Sequence, residues 1–196
     1  MKTTLLKIAL IGTLATACST KQESAEEYPE FTEAITTPVL SEAELIKRGS
    51  YLVTVAGCND CHSPKVMTPR GPEPDPSRLL SGHPQDEKLP PIGDNKGWVL
   101  FSPGLTAFVG PWGVSYAANL TPDDTGIGAW SFENFKTAIR KGKLKGLEGS
   151  RDLLPPMPWQ MYKNMTDDDL NAVFHYLKSL PPVNNLVSAP KPPVQS

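Results

Sequence analysis

A five-residue motif, CNDCH at residues 58–62, constrains this 196-residue chain more than any other feature of its sequence. Its two cysteines are three positions apart, so on a helical turn both thiols project from nearly the same face, and an imidazole follows at once. The chain has only one other cysteine, Cys18. Three cysteines so placed exclude a disulfide framework, and the fold must present two thiols and an imidazole together.

This spacing is the C-x-x-C-H attachment sequence for c-type haem. Two thiols on one turn can each bond a vinyl group of the haem, and the histidine that follows is held beside the iron as its fifth ligand. The sequence therefore predicts one covalently attached haem c, bound through Cys58 and Cys61 and ligated by His62.

Three other uses of the cysteine pair fit the sequence less well than haem attachment. A zinc site normally needs a second Cys or His pair, which the sequence lacks. A thioredoxin-like dithiol follows a strand and opens a helix, whereas this motif follows a predicted helix. A plain disulfide between Cys58 and Cys61 would leave His62 without a role. Haem attachment explains all three side chains.

The N-terminal residues predict export from the cytoplasm. Residues 1–17 contain two lysines followed by a short uncharged stretch that ends in small residues, which is typical of a secretory signal peptide. About ten residues of helix rise only about 15 Å, half the hydrocarbon thickness of a bilayer, so an uncleaved anchor is the weaker alternative. Residues 14–18, LATAC, resemble the lipobox of bacterial lipoproteins. This resemblance implies lipidation of Cys18 and a lipid-anchored protein of the bacterial cell envelope that faces the periplasm.

Residues 18–38 are polar and acidic, with five glutamates and no apolar period, which predicts a flexible acidic tether. The whole chain carries 19 basic and 21 acidic side chains, a formal charge of −2. Such a balance provides no electrostatic footprint for nucleic acid.

Capping patterns predict the helices. Ser41 with Glu44, and Thr166 with Asp169, have the spacing of capping boxes, so a helix is expected to begin at each. A third helix is expected over residues 131–142, between a serine that can cap its start and a glycine that can end it. These three helices predict a mainly α fold.

The segment between the first two helices is harder to assign. Residues 63–118 include ten prolines, show no helical period and are far longer than an ordinary connection of about 4 to 6 residues. Two apolar runs, at residues 98–101 and 105–109, flank a Ser-Pro-Gly turn and predict a small β-hairpin. His83, in a proline-flanked loop of this insertion, is expected to face solvent. The proline-rich residues 183–196 are expected to form an extended, weakly held tail.

Residues 43–62 and 115–182 together resemble class I c-type cytochromes. Residues 49–51, Gly-Ser-Tyr, are similar to the glycine and aromatic residue of that family's N-terminal helix, and Tyr176-Leu177 to the matching pair on its C-terminal helix. The resemblance implies that the two helices cross and pack. It implies a cytochrome c-like helical domain around a haem over residues 39–182, with the proline-rich segment as an insertion.

A narrower resemblance lies in residues 111–114, 119–123, 125–128 and Trp130, which are similar to cytochrome c subunits of membrane-bound alcohol and aldehyde dehydrogenases. Those subunits usually repeat the haem motif, whereas this chain has one copy and so resembles a single module. The resemblance implies that the indole N–H of Trp130 donates to a haem propionate. The alternative is a large apolar side chain that covers the start of the second helix.

The resemblance also implies a sixth iron ligand. Met157 stands in LLPPMPW at residues 153–159, just before the last helix, where the family places its methionine. Prolines on both sides restrict the backbone and hold the segment extended. The alternative for Met157 is a packing role in the core. Met165 already fits a helix staple, and Met67 follows His62 too closely to reach the opposite face of the haem easily.

Ligation by His62 and Met157 leaves the iron no open position, which favours electron transfer over oxygen chemistry. The sequence thus predicts a monohaem, membrane-tethered electron carrier that is not itself an enzyme. Its expected partners are redox proteins: a dehydrogenase or quinol-oxidising complex as donor, and a terminal oxidase or another carrier as acceptor. The alternatives are a haem-based redox or gas sensor and the haem subunit of a dehydrogenase complex. Basic side chains over residues 140–151 form either a docking site for an acidic partner or an ordinary solvated face.

Overall fold

The computed structural model of this chain describes residues 40–93 and 97–193. The predicted signal peptide at 1–17 and the predicted tether at 18–38, with Cys18, lie outside the described residues. Within the described ranges, no helix has both the length and the apolar character needed to cross a bilayer.

Five α-helices and five short strands make up the described part of the chain. The helices are α1 Glu42–Val55, α2 Cys58–His62, α3 Phe132–Lys141, α4 Trp159–Tyr162 and α5 Asp167–Ser179, with a 3₁₀ turn at Leu144–Gly146. The strands are β1 Lys65–Thr68, β2 Gly71–Pro74, β3 Leu100–Phe101, β4 Ala107–Gly110 and β5 Gly113–Tyr116. The mainly α prediction is therefore right in part, because all five strands lie in the insertion.

Helix α1 begins where its capping residues predict, and α3 both begins and ends where its capping residues predict. At the start of α1, the Ser41 hydroxyl accepts from the Glu44 amide at 3.4 Å, and the Glu44 carboxylate accepts from the Ser41 amide at 2.8 Å. Gly57, at φ 69°, follows the end of α1 in the left-handed conformation that glycine adopts most easily. Ser131 caps α3, and Gly142, at φ 63°, ends it.

The second predicted capping box, at the start of α5, forms only in half. Thr166 accepts a hydrogen bond from the Asp169 amide at 3.1 Å. The Asp169 carboxylate, however, accepts from the Arg48 guanidinium of α1 at 2.5 and 2.7 Å. A charged partner forms a stronger hydrogen bond than the neutral amide of the cap, and helix packing brings it within reach. The predicted reciprocal bond was therefore wrong.

Helices α1 and α5 cross in close contact at Gly49. A Cβ at this position would lie 2.0 Å from the carbonyl oxygen of Ala172 and 2.6 Å from the Cβ of Tyr176, so any side chain would push the helices apart. This confirms the prediction that the two helices pack through a glycine. Around the crossing lies a buried core of seven side chains: Val53, Leu80, Ile127, Phe135, Leu170, Val173 and Leu177. Leu80 comes from the insertion, which is therefore part of the core.

The insertion holds more β structure than predicted. Strands β3 and β4 form the expected hairpin, with Phe101 opposite Phe108, and β5 continues it as a third antiparallel strand. Strands β1 and β2 form a second hairpin that was not predicted. Strands of two to four residues are too short to show an alternating pattern in the sequence, and β2 also contains two prolines.

Bonds at Asn185 and Lys191 anchor the proline-rich tail, so the prediction of a weakly held tail was wrong at these residues. The buried side chain of Asn185 donates to the carbonyl oxygens of Ser81 at 2.7 Å and His83 at 2.9 Å. Lys191 exchanges two backbone hydrogen bonds with Val114 of β5, at 2.8 and 2.9 Å. The partners of Asn185 are about a hundred residues away in the chain, so no local pattern reveals them.

His83 is buried, at 2% exposure, and the prediction that it faces solvent was also wrong. Its Nδ1 lies 2.9 Å from the Thr106 hydroxyl, and its ring centroid is 4.9 Å from that of Tyr116. Burial lowers the pKa of His83. Thr106, just before β4, and Tyr116, on β5, supply these contacts, and the flanking prolines alone give no sign of them.

Candidate haem site

The haem motif forms its own short helix, α2, directly after the left-handed turn at Gly57. The thiols of Cys58 and Cys61 lie on this helix, and both are half-buried. Neither forms a disulfide with any residue that the structure describes. Cys58 also packs against the core between α1 and α5. The thiols therefore lie where the interior of the domain meets its surface.

The protonation of the two thiols argues against dithiol chemistry. Burial raises the pKa of Cys58 to about 11 and also raises the pKa of Cys61. Dithiol exchange uses a thiolate, which such a site disfavours at neutral pH. In the described ranges, no group of three or more His, Cys, Asp or Glu side chains could hold a metal ion by itself.

A backbone carbonyl orients the imidazole of His62. Its Nδ1 lies 2.8 Å from the carbonyl oxygen of Ala118. A carbonyl oxygen can only accept, so Nδ1 carries the proton and Nε2 keeps its lone pair for a metal. Burial lowers the pKa of His62, which favours the neutral ring that a ligand requires. Thiols on one turn and an imidazole with this tautomer match the donor set of a c-type haem.

The insertion holds the backbone around His62. The amide of Gly82 donates to the His62 carbonyl at 2.7 Å, and the amide of Leu80 donates to the Ser63 hydroxyl at 2.8 Å. A Cβ at Gly82 would lie 2.6 Å from the carbonyl carbon of Ala118. Residues 80–82 of the insertion therefore run between α2 and Ala118, and they set the spacing between them.

Lys65 places a positive charge at the C-terminal end of α2. Its ammonium group lies 3.2 Å from the carbonyl oxygen of Asn59, 2.9 Å from that of Asp60 and 2.5 Å from that of Ser63. A cation at a helix C-terminus is stabilised by the helix dipole. Burial is the main cause that lowers the pKa of His62, and the positive charge of Lys65 lowers it further.

The predicted ligand Met157 lies on a segment that the fold ties to the haem helix. Met157 is half-buried, two residues before α4. The Tyr162 hydroxyl, on α4, donates to the carbonyl of Ala56, at the end of α1, at 2.6 Å. Burial is the main cause that raises the pKa of Tyr162, and the nearby Cys58 raises it further. Helix α4 therefore lies beside the haem motif. Ligation of iron by Met157 stays a prediction.

The other candidate residues have simpler surroundings. Trp130 is half-buried against the core, and its indole N–H makes no hydrogen bond to another described residue, so both predicted roles stay predictions. Met165 packs against the same core, in line with a helix staple. Met161 is 71% exposed and Met67 is 77% exposed.

The basic stretch over residues 140–151 is largely paired within the chain. Arg140 forms an ion pair with Asp167 at 2.6 Å. Lys141 pairs with Glu148 at 2.5 Å, and Lys143 pairs with Asp152 at 2.7 Å. Because neighbouring carboxylates offset these charges, the structure favours the solvated face over a docking site.

Sequence reasoning did not identify Ala118, Gly82 or Lys65 as parts of the site. Ala118 and Gly82 act through backbone groups, which leave no trace in residue type. Lys65 could have been found, because a lysine shortly after the end of a helix has the position of a C-terminal cap.

Comparisons with known proteins identify the relatives of this chain. No protein-family model matches it. It is 32% identical to the gluconate 2-dehydrogenase cytochrome c subunit of Pantoea cypripedii over 133 residues, which is 67% of this chain. It is 29% identical to the fructose dehydrogenase cytochrome subunit of Gluconobacter japonicus over 162 residues, which is 81% of this chain. This chain is homologous to cytochrome c subunits of dehydrogenases.

A shorter match of 74 residues, at 42% identity, joins this cytochrome c homologue to a subunit of the nicotinate dehydrogenase of Pseudomonas putida. The three matches cover 37%, 67% and 81% of the chain but only 6%, 22% and 25% of those relatives. The chain therefore spans a quarter or less of the length of each of these relatives, in line with the prediction of one module.

The homology implies covalently bound haem c, as the motif and its geometry do. The gluconate and fructose dehydrogenase relatives are named as cytochrome subunits of their dehydrogenases. This agrees with the prediction that the chain carries electrons and is not an enzyme.

Proposed function

We propose that this chain is a monohaem electron carrier tethered to a membrane of the bacterial cell envelope. Cys58 and Cys61 would attach the haem, and His62 and Met157 would ligate its iron. The observation that carries this proposal is the hydrogen bond from His62 Nδ1 to Ala118, because it prepares Nε2 as a ligand beside two protonated thiols. When bound, haem iron supplies one-electron chemistry between its ferric and ferrous states.

The chain's own residues keep the proposed ligand set in one arrangement. Gly82 holds the His62 backbone at 2.7 Å, and Ala118 holds its ring at 2.8 Å. A carbonyl partner on the second ring nitrogen also raises the basicity of the ligating one. On the other side, a thioether from Met157 would favour ferrous iron, and the indole of Trp130 would donate to a haem propionate.

The proposed donor is a dehydrogenase or a quinol-oxidising complex, and the proposed acceptor is a terminal oxidase or another carrier. The names of the relatives support a dehydrogenase on the donor side. The same names favour one alternative, that the chain is a permanent haem subunit of such a complex. Dilution distinguishes the two: reduction of a separate carrier slows in proportion to concentration, whereas reduction within a complex does not.

The proposed tether begins at a lipidated Cys18 and continues through the acidic residues to position 38. The lipid would hold the chain at the membrane, and the negative charge of the tether would keep it from lying on anionic lipid. The carrier would therefore work close to a membrane-bound donor.

The three cysteines allow one matched experiment on attachment. We expect Cys58→Ala/Cys61→Ala to lose haem staining on a denaturing gel, because both thioether bonds are gone. Cys18→Ser is the control: it should keep the haem stain but lose labelling by a fatty-acid analogue and become soluble in the periplasm. Haem stain that survives in the double variant would overturn the haem assignment, and equal labelling of wild type and Cys18→Ser would overturn the tether.

A further inference from the structure

The segment that carries Met157 has almost no backbone donors of its own. Three of the four residues at 155–158 are prolines, which lack an N–H group. Before them, the Leu153 amide donates to the carbonyl of Gly142 at 2.6 Å. After them, the carbonyl of Pro158 accepts from the Met161 amide at 2.9 Å, within the first turn of α4. Between these two points, the segment can be held mainly through its carbonyl oxygens.

One of those carbonyls is bound by the insertion. The hydroxyl of Ser115, on β5, donates to the carbonyl oxygen of Pro155 at 2.6 Å. Among the described residues, this is the one hydrogen bond to residues 154–157 that comes from outside the segment. Ser115 is buried, at 6% exposure, so water competes little for the bond.

Ser115 is itself held in place from several sides. The indole Nε1 of Trp112 donates to its hydroxyl at 3.0 Å, which directs the hydroxyl proton towards Pro155. The Trp112 ring covers Gly110, where a Cβ would come within 2.4 Å of the ring. The neighbouring Val114 is fixed to Lys191 by two backbone bonds. The hydroxyl therefore stands on a strand that is paired on both edges.

We propose that Ser115 is a positioning residue for the sixth iron ligand, which it holds through the carbonyl of Pro155. This inference rests on the proposed ligation of iron by Met157. It assigns the sheet of β3, β4 and β5 the role of holding the methionine segment, just as residues 80–83 hold the histidine. Without the Ser115 bond, the segment would swing away from the iron more often, and an external ligand would find the position open.

Imidazole binding to the oxidised full-length holoprotein measures that opening. An external ligand binds only when the sulfur has left, so its apparent affinity scales with the open fraction. We expect Ser115→Ala to bind imidazole about five-fold more tightly than wild type, the change that one lost hydrogen bond produces. The sulfur-to-iron charge-transfer band should weaken in parallel. Ser115→Thr, which keeps a hydroxyl, should restore both values.

Two further variants serve as a negative control and as a second way to weaken the Ser115 bond. Ser102→Ala removes a hydroxyl that accepts from the Ala107 amide at 3.2 Å within its own hairpin, and it should leave imidazole binding unchanged. Trp112→Phe keeps a ring over Gly110 but removes the donor that directs Ser115. It should shift imidazole binding in the same direction as Ser115→Ala, by less, and it serves if Ser115→Ala does not fold.

The Met157→Ala background separates this inference from the proposed function. Met157→Ala should lack the band and bind imidazole more tightly than the other variants, and adding Ser115→Ala should change nothing further. If Met157→Ala behaves like wild type, the proposed ligation is wrong and the role of Ser115 falls with it. Two results would show that only the positioning role is wrong, provided that Met157→Ala behaves as expected. In the first, Ser115→Ala binds imidazole as wild type and Ser102→Ala do. In the second, Ser115→Ala changes imidazole binding equally in the wild-type and Met157→Ala backgrounds.

Discussion

The segment that carries His62 and the segment that carries Met157 are held by opposite means. His62 belongs to a helix, and its surroundings bind it at the ring through Ala118 and at the backbone through Gly82. The ammonium of Lys65 also caps that helix. Several bonds would have to break together before this ligand could move.

The methionine side has far fewer attachments. Prolines restrict its backbone but remove most of its donors. Among the described residues, the Ser115 hydroxyl supplies the one bond to residues 154–157 from outside the segment. The two segments should therefore respond differently to substitutions near them. A substitution on the histidine side should lower the stability of the whole fold. A substitution on the methionine side should change the ligation of the iron first.

The largest expected effect comes from Gly82, on the histidine side. Gly82 has a φ of 82°, and a Cβ there would meet backbone atoms of residues 117–119 at 2.6 to 2.7 Å. We expect Gly82→Ala to lower the free energy of unfolding by about 3–5 kcal/mol, from backbone strain and overpacking together. Denaturant unfolding of the holoprotein measures this.

Gly97 provides the matched control for Gly82. Its φ is 81°, almost the same as that of Gly82, but no described atom lies within 4 Å of the position that a Cβ would take. Gly97→Ala should therefore cost only the strain, about 1–2 kcal/mol. Equal losses in the two variants would show that the contact between the insertion and the histidine side does not matter for stability.

The next effect concerns the methionine side, and its readout is the reduction potential. Met157→Ala should lower the potential by on the order of 0.1 V, within the roughly 0.8 V range that axial ligands set. It should also allow carbon monoxide to bind the reduced protein, because the sixth position is open. Met161→Ala, at a side chain that is 71% exposed, should change neither value.

Potentiometric titration and carbon monoxide difference spectra distinguish carrier from sensor. Wild type should not bind carbon monoxide if Met157 closes the iron. Binding by wild type, with an unchanged potential in Met157→Ala, would support the alternative of a haem-based sensor with a labile sixth ligand.

A moderate effect is expected from pH, through the buried His83. Burial lowers the pKa of His83 in the folded protein, and the nearby Glu87 opposes this shift. The unfolded chain then binds more protons than the folded one below about pH 6.5, the ordinary histidine value. This contribution to stability is therefore complete above that pH and is lost as the pH falls towards the folded pKa. Between pH 7.5 and 5, the midpoint temperature of thermal unfolding should fall less steeply in His83→Gln than in wild type. Equal slopes would contradict the inference that the buried His83 makes stability depend on pH.

The smallest effect should come from the basic stretch near α3. Lys141 and Lys143 are paired with Glu148 and Asp152 on the surface, where such pairs contribute about 0 to 1 kcal/mol. Lys141→Gln/Lys143→Gln should change stability by less than about 1 kcal/mol and should barely change the rate of reduction by a donor protein. A rate that falls several-fold at low salt but not at high salt would restore the docking role instead.

The sequence predicted the features that depend on near neighbours in the chain. The motif at 58–62 indicated haem attachment, and capping residues located the start of α1 and both ends of α3. Gly49 indicated the close helix crossing, because only glycine leaves enough room there. Each of these inferences rests on a pattern that is complete within one helix or one turn.

The sequence was silent or misleading where a residue's partner is far away in the chain. Asp169 left its predicted cap for Arg48, 121 residues away. Thr106, 23 residues further along the chain, bonds the imidazole of His83 that was expected in solvent. Asn185 bonds backbone groups of the insertion more than a hundred residues before it.

The sequence by itself determined the chemistry of this protein: the thiol pair, the imidazole and the helices that carry them. Only the tertiary structure decided how those groups are held, because the bonds that orient them join distant residues. The Ala118 carbonyl that sets the His62 tautomer lies 56 residues away, and the Ser115 hydroxyl that reaches Pro155 spans 40 residues. Backbone carbonyls and amides are present at almost every position, so residue type does not reveal which of them will be used.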